Sequence, residues 1–294
     1  MQVFITGATG YIGFHAATAL RRAGHQVVAL VRSAEKAKRL AAHEIEPVIG
    51  SIENPESYRA PAARCSVAVH VAVDYATDVF AQDKLAVETL LAGRPELLIY
   101  TSGIWVYGPT GRRAADETAP LNPPIRVSRR PEMERLSQST ATSRAIVLRP
   151  GCVYGQEGGM FGEWFAPVSK GEAPTIVGDG TNRWPLVHVD DLANAYVLAA
   201  ESTLQNEIIN VTDRSRESVA TMVASLSEAG GYRGQPKYVP VAEAAKALGT
   251  FAECLTLDQH VDSSKAVRVL GWQPRHGGFA DQAAEYFGAW KARN

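Results

Sequence analysis

Short apolar runs alternate with amphipathic segments from the N-terminus to about residue 211. The opening run, Val3-Phe4-Ile5, leads into glycines and then into an amphipathic segment at 14–22, a pattern typical of a strand, a turn and a helix. Strands separated by helices imply right-handed crossovers and a parallel sheet. We therefore predict an α/β fold with a doubly wound parallel sheet. Further strands are predicted at 26–31, 47–52, 67–72, 97–101, 145–150 and 207–211, and helices at 77–91, 126–139 and within 187–200.

Three glycines interrupt the chain where the first strand becomes the first helix. Gly7 allows a sharp turn off the strand, Gly10 has no Cβ to hold a phosphate at a distance, and Gly13 lets the helix pack closely on the sheet. A helix that begins in this way directs free backbone N–H groups and its positive dipole end at one point. The segment therefore predicts a dinucleotide pyrophosphate site that also includes Thr9, Tyr11 and Ile12.

The end of the second strand indicates which dinucleotide binds. An acidic residue there hydrogen-bonds a ribose 2′-hydroxyl, whereas a basic residue pairs with a 2′-phosphate. This chain has Arg32 there and Lys36 one turn into the next helix, so we predict NADP in preference to NAD, although both could be solvated helix-end charges. Because ligands lie beyond the carboxyl ends of parallel strands, the predicted cofactor contacts also include Ser51, Ile52, Ala72, Thr101, Pro150, Gly151 and Val153.

The even alternation of strands and helices ends near Gly151, where glycines and aromatic residues become frequent. We predict a dinucleotide-binding domain over 1–155, rejoined by about 187–211. A smaller substrate-binding lobe is expected from 156–186 and 212–294.

Composition narrows the range of partners and compartments. The 294 residues carry a formal charge of −1 with a pI near 6.7, so we expect neither a nucleic-acid nor an anionic-membrane partner, but a small-molecule substrate. The odd cysteines Cys65, Cys152 and Cys254 are widely spaced among apolar neighbours, which argues against a disulfide framework or a metal cluster. The absence of a signal-like or membrane-spanning run predicts a soluble, cytoplasmic protein.

Motifs spread over nearly the whole chain resemble those of the extended or atypical short-chain dehydrogenases/reductases, of the NAD-dependent epimerase/dehydratase type. The resemblance implies a Rossmann-type fold, an NAD(P) cofactor, a small-molecule substrate, and a monomer or a homodimer formed through helices 77–91 and 126–139. The motifs are Gly7-Ala8-Thr9-Gly10-Tyr11-Ile12-Gly13, Tyr107-Gly108, Leu148-Arg149-Pro150-Gly151-Cys152-Val153-Tyr154-Gly155, Val187-His188-Val189-Asp190-Asp191-Leu192-Ala193, Ser264-Lys265-Ala266 and Leu270-Gly271-Trp272-Gln273-Pro274.

The family's usual catalytic residues are absent from this chain. A Tyr-x-x-x-Lys pair on the helix after strand five normally moves the proton and holds the ribose, but here Arg126 and Arg130 occupy those positions. Gly103 stands at the position of the family's serine, with Ser102 just before it. An arginine stays protonated, so it can stabilise an oxyanion or hold a ribose hydroxyl but cannot serve as the general acid. Some atypical members resemble this chain more closely, with Thr-Ser-Gly-x-Trp-x-x-Gly and Arg-x-x-x-Glu segments.

A phenol near the nicotinamide is the natural replacement acid. Tyr107 is the leading candidate and Tyr75 and Tyr154 are weaker ones, and each could instead be a packed aromatic residue. Arg130 could also form a helix-surface ion pair with Glu134. The predicted catalytic set is Tyr107, Arg130, Ser102 and Arg126, Arg130 also contacts the cofactor, and the predicted substrate contacts are Trp105, Tyr154, Trp164 and Arg183.

Two functions are consistent with these residues. The first is an NADP-binding enzyme that reduces, epimerises, isomerises or dehydrates a small molecule with a rearranged set of acid/base groups. The alternative is a catalytically silent protein that senses NADPH.

Overall fold

A seven-stranded parallel sheet forms the centre of the molecule. The structure is a computed structural model that describes residues 1–75, 78–111, 113–156 and 158–293. The strand order is β10-β6-β5-β4-β1-β2-β3, and two further pairs, β7 with β9 and β8 with β11, lie outside it. The strands are β1 (Gln2–Thr6), β2 (Gln26–Val31), β3 (Glu46–Ile49), β4 (Val67–His70), β5 (Leu97–Thr101), β6 (Arg144–Pro150), β7 (Cys152–Tyr154), β8 (Thr175–Val177), β9 (Leu186–His188), β10 (Glu207–Val211) and β11 (Lys237–Val239).

Helices cover both faces of this sheet, so the predicted doubly wound Rossmann-type fold is confirmed. One face packs against α1 and α7, and the other against helices that include α4 and α5. The helices are α1 (Tyr11–Arg22), α2 (Ala34–Ala41), α3 (Arg59–Ala63), α4 (Val79–Ala92), α5 (Arg130–Ser137), α6 (Gly162–Ser169), α7 (Val189–Glu201), α8 (Val219–Ala229), α9 (Val241–Leu248), α10 (Phe251–Cys254), α11 (Ser264–Leu270) and α12 (Ala283–Lys291).

Two predicted helices begin later than the sequence pattern indicates. The helix expected at 126–139 is a short 3₁₀ turn at Ile125–Val127 followed by α5. Pro131 lies in the first turn of α5, where its missing N–H costs least, and this fixes the start of the helix. The helix expected at 77–91 is α4, which begins after Asp78 because the Asp78 carboxylate accepts a hydrogen bond from the Ala81 N–H. Thr77 lies outside the described residues.

A second apolar cluster, rich in aromatic residues, forms away from the sheet. The rings of Trp164 and Trp184 stack with centroids 5.3 Å apart, and Phe161 and Phe279 pack beside them. This cluster joins α6, α8 and α12 to β7 and β9. Other residues after Gly151, among them those of α7 and β10, pack instead in the cluster at the central sheet.

The turn between β1 and α1 requires glycine at two positions. Gly7 has φ +78°, and a Cβ there would approach the Ala72 backbone nitrogen to 2.7 Å. A Cβ at Gly13 would collide with the Gly7 carbonyl oxygen. The helix therefore starts directly against the end of the sheet, which places its N-terminus at the carboxyl edge.

No helix in the described part of the chain combines the length and the apolar character that membrane crossing requires. The cysteines Cys65, Cys152 and Cys254 are buried as free thiols.

Candidate functional site

A cleft of about 510 Å³ runs along the carboxyl edge of the sheet, above the β1–α1 turn. Fourteen of the sixteen predicted cofactor residues line it; Gly151 and Val153 line the adjoining pocket instead, because the chain turns away from the sheet after Pro150. Those that line the cleft are Gly7, Thr9, Gly10, Tyr11, Ile12, Gly13, Arg32, Lys36, Ser51, Ile52, Ala72, Thr101, Arg130 and Pro150.

The N-terminus of α1 suits a phosphate group. No side chain caps it, and its first turn carries no acidic residue that would repel an anion. A Cβ at Gly10 would approach nothing closer than the Gly7 carbonyl oxygen at 3.4 Å, so the space above this residue is open to the cleft. The first N–H groups of a helix lack partners within it. The residues present therefore fit a dinucleotide pyrophosphate.

The far end of the cleft carries two cations. Arg32 and Lys36 both line it, and the Arg32 guanidinium lies 3.1 Å from the Asp74 carboxylate. The Arg32 side chain is 69% exposed, so this ion pair is weak and an incoming anion can replace it.

A second, mostly apolar pocket of about 210 Å³ adjoins the other end of the cleft. Ile104, Trp105, Val127, Val153 and Met160 are among its lining residues; that Trp105 contacts a substrate stays a prediction. The two cavities share the residues Tyr11, Ile12, Tyr75, Ser102, Arg130 and Pro150. Four of these shared residues, Tyr11, Tyr75, Ser102 and Arg130, have polar side chains. Polar groups are therefore found at the junction, where the cleft meets the apolar pocket.

Arg130 is held at this junction by a buried polar network. Its Nη1 donates to the Tyr100 hydroxyl at 2.8 Å and to the Thr101 carbonyl at 3.1 Å, and lies 3.4 Å from the Asp83 carboxylate. Asp83 also accepts hydrogen bonds from His70 at 2.7 Å and from Tyr100 at 2.6 Å. Burial alone would raise the pKa of Asp83, but the hydrogen bond from His70 and the charges of His70 and Arg130 hold it below its usual value. Arg130 is thus a fixed, charged group.

Ser102 belongs to a second buried network, which lies on the β6 side of β5, whereas the Arg130 network lies on the β4 side. Its hydroxyl donates to Glu134 Oε1 at 2.5 Å, and Arg149 donates two hydrogen bonds to the same carboxylate at 2.8 and 2.6 Å. The alternative interpretation, a helix-surface ion pair between Arg130 and Glu134, is not observed, because Glu134 pairs with Arg149 and is almost fully buried. This network fixes the orientation of Ser102.

The position of Tyr107 contradicts a catalytic role as proton donor. Its ring is 2% exposed, and its hydroxyl donates to Asn210 at 2.8 Å and accepts from Arg149 at 2.7 Å. Burial raises the pKa of this phenol, and Tyr107 lines neither the cleft nor the apolar pocket. The sequence prediction fails because the 3₁₀ turn at Ile104–Tyr107 carries the ring into the core.

Two phenols, Tyr11 and Tyr75, line both cavities, and the Tyr11 hydroxyl donates to the Gly155 carbonyl at 2.6 Å. The Tyr75 side chain is 44% exposed, in the loop after β4. Its position just beyond a strand end was the sequence signal for it, but that signal did not separate it from Tyr107 and Tyr154. Arg126 is part of neither cavity lining; its guanidinium carbon lies 4.0 Å from the centre of the Tyr75 ring.

Three of the predicted substrate contacts lie elsewhere. Tyr154 is fully buried and donates to the Gly277 carbonyl, and Trp164 donates its indole N–H to the Thr175 carbonyl within the aromatic cluster. Arg183 makes a bidentate pair with Asp258 and lines a different cavity of about 420 Å³. None of these three side chains lines the cleft or the apolar pocket.

Comparisons with known proteins place these features in a family. Residues 3–212 match the model of the NAD dependent epimerase/dehydratase family. The chain is 30% identical to a 3-diazoavenalumate denitrifying reductase of Streptomyces sp, over 96% of this chain and 98% of that protein. It is 27% identical to the 4-hydroxy-2-methyl-3-oxo-4-farnesyl-3,4-dihydroquinoline-1-oxide ketoreductase of Stigmatella aurantiaca, over 87% and 80% of the two chains.

A solved structure shows the same fold. The UDP-glucose 4-epimerase of Thermus thermophilus, in complex with NAD, matches with a TM-score of 0.83 and 21% identity, and the match covers all of both chains. At this identity the likeness concerns the fold alone.

Proposed function

Because the chain belongs to the NAD-dependent epimerase/dehydratase family, we propose that it is an NADPH-dependent reductase of a small, largely apolar carbonyl compound. The observation that carries this proposal is the junction, where Tyr75, Ser102 and Arg130 line both the dinucleotide cleft and the apolar pocket. A reductase and a ketoreductase among the relatives support the reaction class. The alternative, a catalytically silent sensor, receives no support from the relatives or from the described residues.

The preference for NADPH rests on the far end of the cleft. Arg32 and Lys36 line this end and would supply two positive charges to the adenosine ribose of a bound dinucleotide. A 2′-phosphate pairs with such charges, whereas the 2′-hydroxyl of NADH gains little from them.

Three side chains would carry out the protein's part of the reduction. The reduced nicotinamide supplies a hydride when it is bound. Arg130, fixed in its charged state by Asp83 and Tyr100, stabilises the negative charge that develops on the carbonyl oxygen. The Tyr75 hydroxyl donates the proton to that oxygen, and its exposure allows water to replace the proton. The Ser102 hydroxyl, which donates a hydrogen bond to Glu134, bounds the space at the junction in which the carbonyl compound binds.

Cofactor titrations test the first half of the proposal. Tryptophan fluorescence measured against NADPH and NADH should show tighter binding of NADPH. Arg32→Ala should weaken NADPH binding by about tenfold, because it removes one charge-assisted contact, and should leave NADH nearly unchanged. Equal affinities of the wild-type protein for the two dinucleotides would contradict the 2′-phosphate argument.

Turnover tests the second half. NADPH oxidation with aromatic aldehydes as substrates should fall by about a hundredfold or more in Tyr75→Phe, since a positioned proton donor contributes at least that much. Tyr107→Phe is the matched control, because it removes a hydroxyl that lines neither cavity. A larger loss in Tyr107→Phe than in Tyr75→Phe would refute the assignment.

A further inference from the structure

Arg126 contacts two aromatic rings next to the apolar pocket. Its guanidinium carbon is 4.0 Å from the centre of the Tyr75 ring and 5.0 Å from that of Phe251. Tyr75 lines the pocket, and the Phe251 ring is 5.9 Å from that of Trp105, another lining residue. The arginine therefore contacts one lining residue, Tyr75, and a ring, Phe251, that packs against a second lining residue, Trp105.

Arg126 has no carboxylate partner among the residues that the structure describes. Its Nε is buried without a hydrogen-bond acceptor, and no carboxylate of the described chain lies within ion-pair distance of its guanidinium. Its neighbours differ, because Arg129 pairs with Glu132 and Arg130 pairs with Asp83. The Nε–H is closed to solvent, but the two Nη groups are not among the buried unpaired atoms and have no partner in the described chain, so they are suited to an acceptor from outside the chain.

The two rings restrict how such an acceptor can approach. Aromatic faces stabilise a guanidinium by cation–π contact and leave the edge of the group, with its N–H donors, available. A carboxylate matches this edge with two parallel hydrogen bonds. An aromatic body attached to the carboxylate would be accommodated by the pocket next to Arg126, where Trp105 and Val127 form part of the wall.

We infer that Arg126 is the anion-binding residue of the substrate site, and that the substrate is a carbonyl compound with an apolar, aromatic body and a carboxylate. This inference rests on the proposed function: the carbonyl lies at Arg130 and Tyr75, and the carboxylate lies at Arg126. Arg126 is thus a specificity residue and takes no part in proton or hydride transfer.

Matched acid and amide probes test this inference. The probe pairs are 4-formylbenzoate with 4-formylbenzamide, benzoate with benzamide, and cinnamate with cinnamamide, and their binding to the NADP-loaded protein is followed by tryptophan fluorescence. At least one acid should bind about tenfold or more tightly than its amide, since a charge-assisted pair is worth at least this factor. Arg126→Gln should remove the preference by weakening the acid alone. Equal binding of acid and amide in all three pairs, or no binding of any acid, would overturn the inference.

Two further variants separate the charge from a structural effect. Arg126→Lys keeps the charge but loses the bidentate edge, so its preference for the acid should be intermediate. Arg129→Gln removes a nearby arginine that already pairs with Glu132 and should leave the preference unchanged. A loss of amide binding equal to the loss of acid binding in Arg126→Gln would mean that Arg126 only supports the pocket, and would reject the anion role.

Turnover of the aldehyde pair distinguishes the failure of this inference from that of the proposed function. Tight, Arg126-dependent binding of 4-formylbenzoate without NADPH oxidation would contradict the reductase proposal and support the anion subsite. NADPH oxidation with equal KM values for 4-formylbenzoate and 4-formylbenzamide would support the reductase and contradict the anion subsite.

Discussion

Two regions of the cleft, the glycine turn that forms its phosphate end and the junction with the apolar pocket, are built in different ways. The phosphate end is a continuous stretch of backbone, in which Gly7, Gly10 and Gly13 bring a helix N-terminus to the carboxyl edge of the sheet. The junction with the apolar pocket is built from side chains: Arg130 and Ser102 are held by partners from α4, β5, α5 and β6. The first depends on the shape of one turn, and the second on the simultaneous burial of several charged groups.

This difference sets the expected sensitivity of each end to substitution. A backbone site fails when an added Cβ has no space, and the damage stays mostly local. A side-chain network fails when one member is removed, because the partner is left buried without compensation. Substitutions in the side-chain network should therefore cost the most stability, and substitutions of exposed pairs the least.

Loss of Glu134 should have the largest effect on stability. Glu134→Ala leaves the Arg149 guanidinium, about 2% exposed, without its carboxylate, and we expect about 3–5 kcal/mol of destabilisation in urea unfolding. Glu132→Ala is the matched control on the same helix, since Glu132 is about half exposed and pairs with Arg129; about 1 kcal/mol or less is expected. The double variant Glu134→Leu/Arg149→Met should recover much of the loss. Similar losses of unfolding free energy in Glu134→Ala and Glu132→Ala would contradict the expected difference between the buried and the exposed ion pair.

The same contrast explains what the sequence predicts well. The glycine turn and most cleft residues are local in sequence: each follows a strand end, and parallel strands bring their carboxyl ends to one edge. Periodicity therefore identifies them. Arg130 also lines the cleft as expected, because a short motif fixes its position on a helix.

The partners of the junction are not local, and sequence reasoning missed them. Asp83 and Tyr100 meet Arg130 only because α4 packs against α5 beside β5. Tyr107 follows a strand end as Tyr75 does, yet the 3₁₀ turn buries it. Since both residues satisfy the same pattern, only the packing of the turn separates them.

Gly13→Ala tests the backbone end. A Cβ would collide with the Gly7 carbonyl oxygen, so the turn must shift; we expect about 1–3 kcal/mol of destabilisation and about a tenfold or greater loss of NADPH affinity. Gly288→Ala is the control, because it lies exposed within α12 with no heavy atom within 4 Å of the added Cβ. That variant should be more stable by about 0.5–1 kcal/mol. Unchanged NADPH affinity in Gly13→Ala would show that the turn is not fitted to a phosphate.

His188 is a further buried polar side chain, and it lies between the start of α7 and the C-terminal segment that contains His276. Its Nδ1 accepts from the Asp190 N–H, and its ring stacks on that of His276 with centroids 3.6 Å apart. Burial, together with the charge of His276, lowers the pKa of His188 to about 4, and this outweighs the opposing carboxylates Asp190 and Asp191.

A lowered histidine pKa makes stability depend on pH in a defined direction. The neutral His188 contributes its full stability above the unfolded pKa of about 6.5, and this contribution falls as the pH drops from there through about 4. Urea unfolding should therefore show a loss of roughly 1–3 kcal/mol between pH 7 and pH 4.5. His188→Asn keeps a capping oxygen but cannot titrate, so its profile should be flatter over this range. An equally steep profile in the variant would assign the pH dependence to other groups.

Arg183 should show the smallest effect, although its sequence context suggested a substrate contact. The side chains of Arg183 and Asp258 are both about one-third exposed, and the hydrogen bonds from Arg183 lower the pKa of Asp258. Because exposed pairs contribute little, Arg183→Ala should cost about 1 kcal/mol or less in urea unfolding. The kcat/KM of this variant for an aromatic aldehyde, measured by NADPH oxidation, should stay at the wild-type value. The reason is that Arg183 lines neither the cleft nor the apolar pocket. A large rise in KM would instead extend the substrate site to this arginine, and the junction would no longer account for binding by itself.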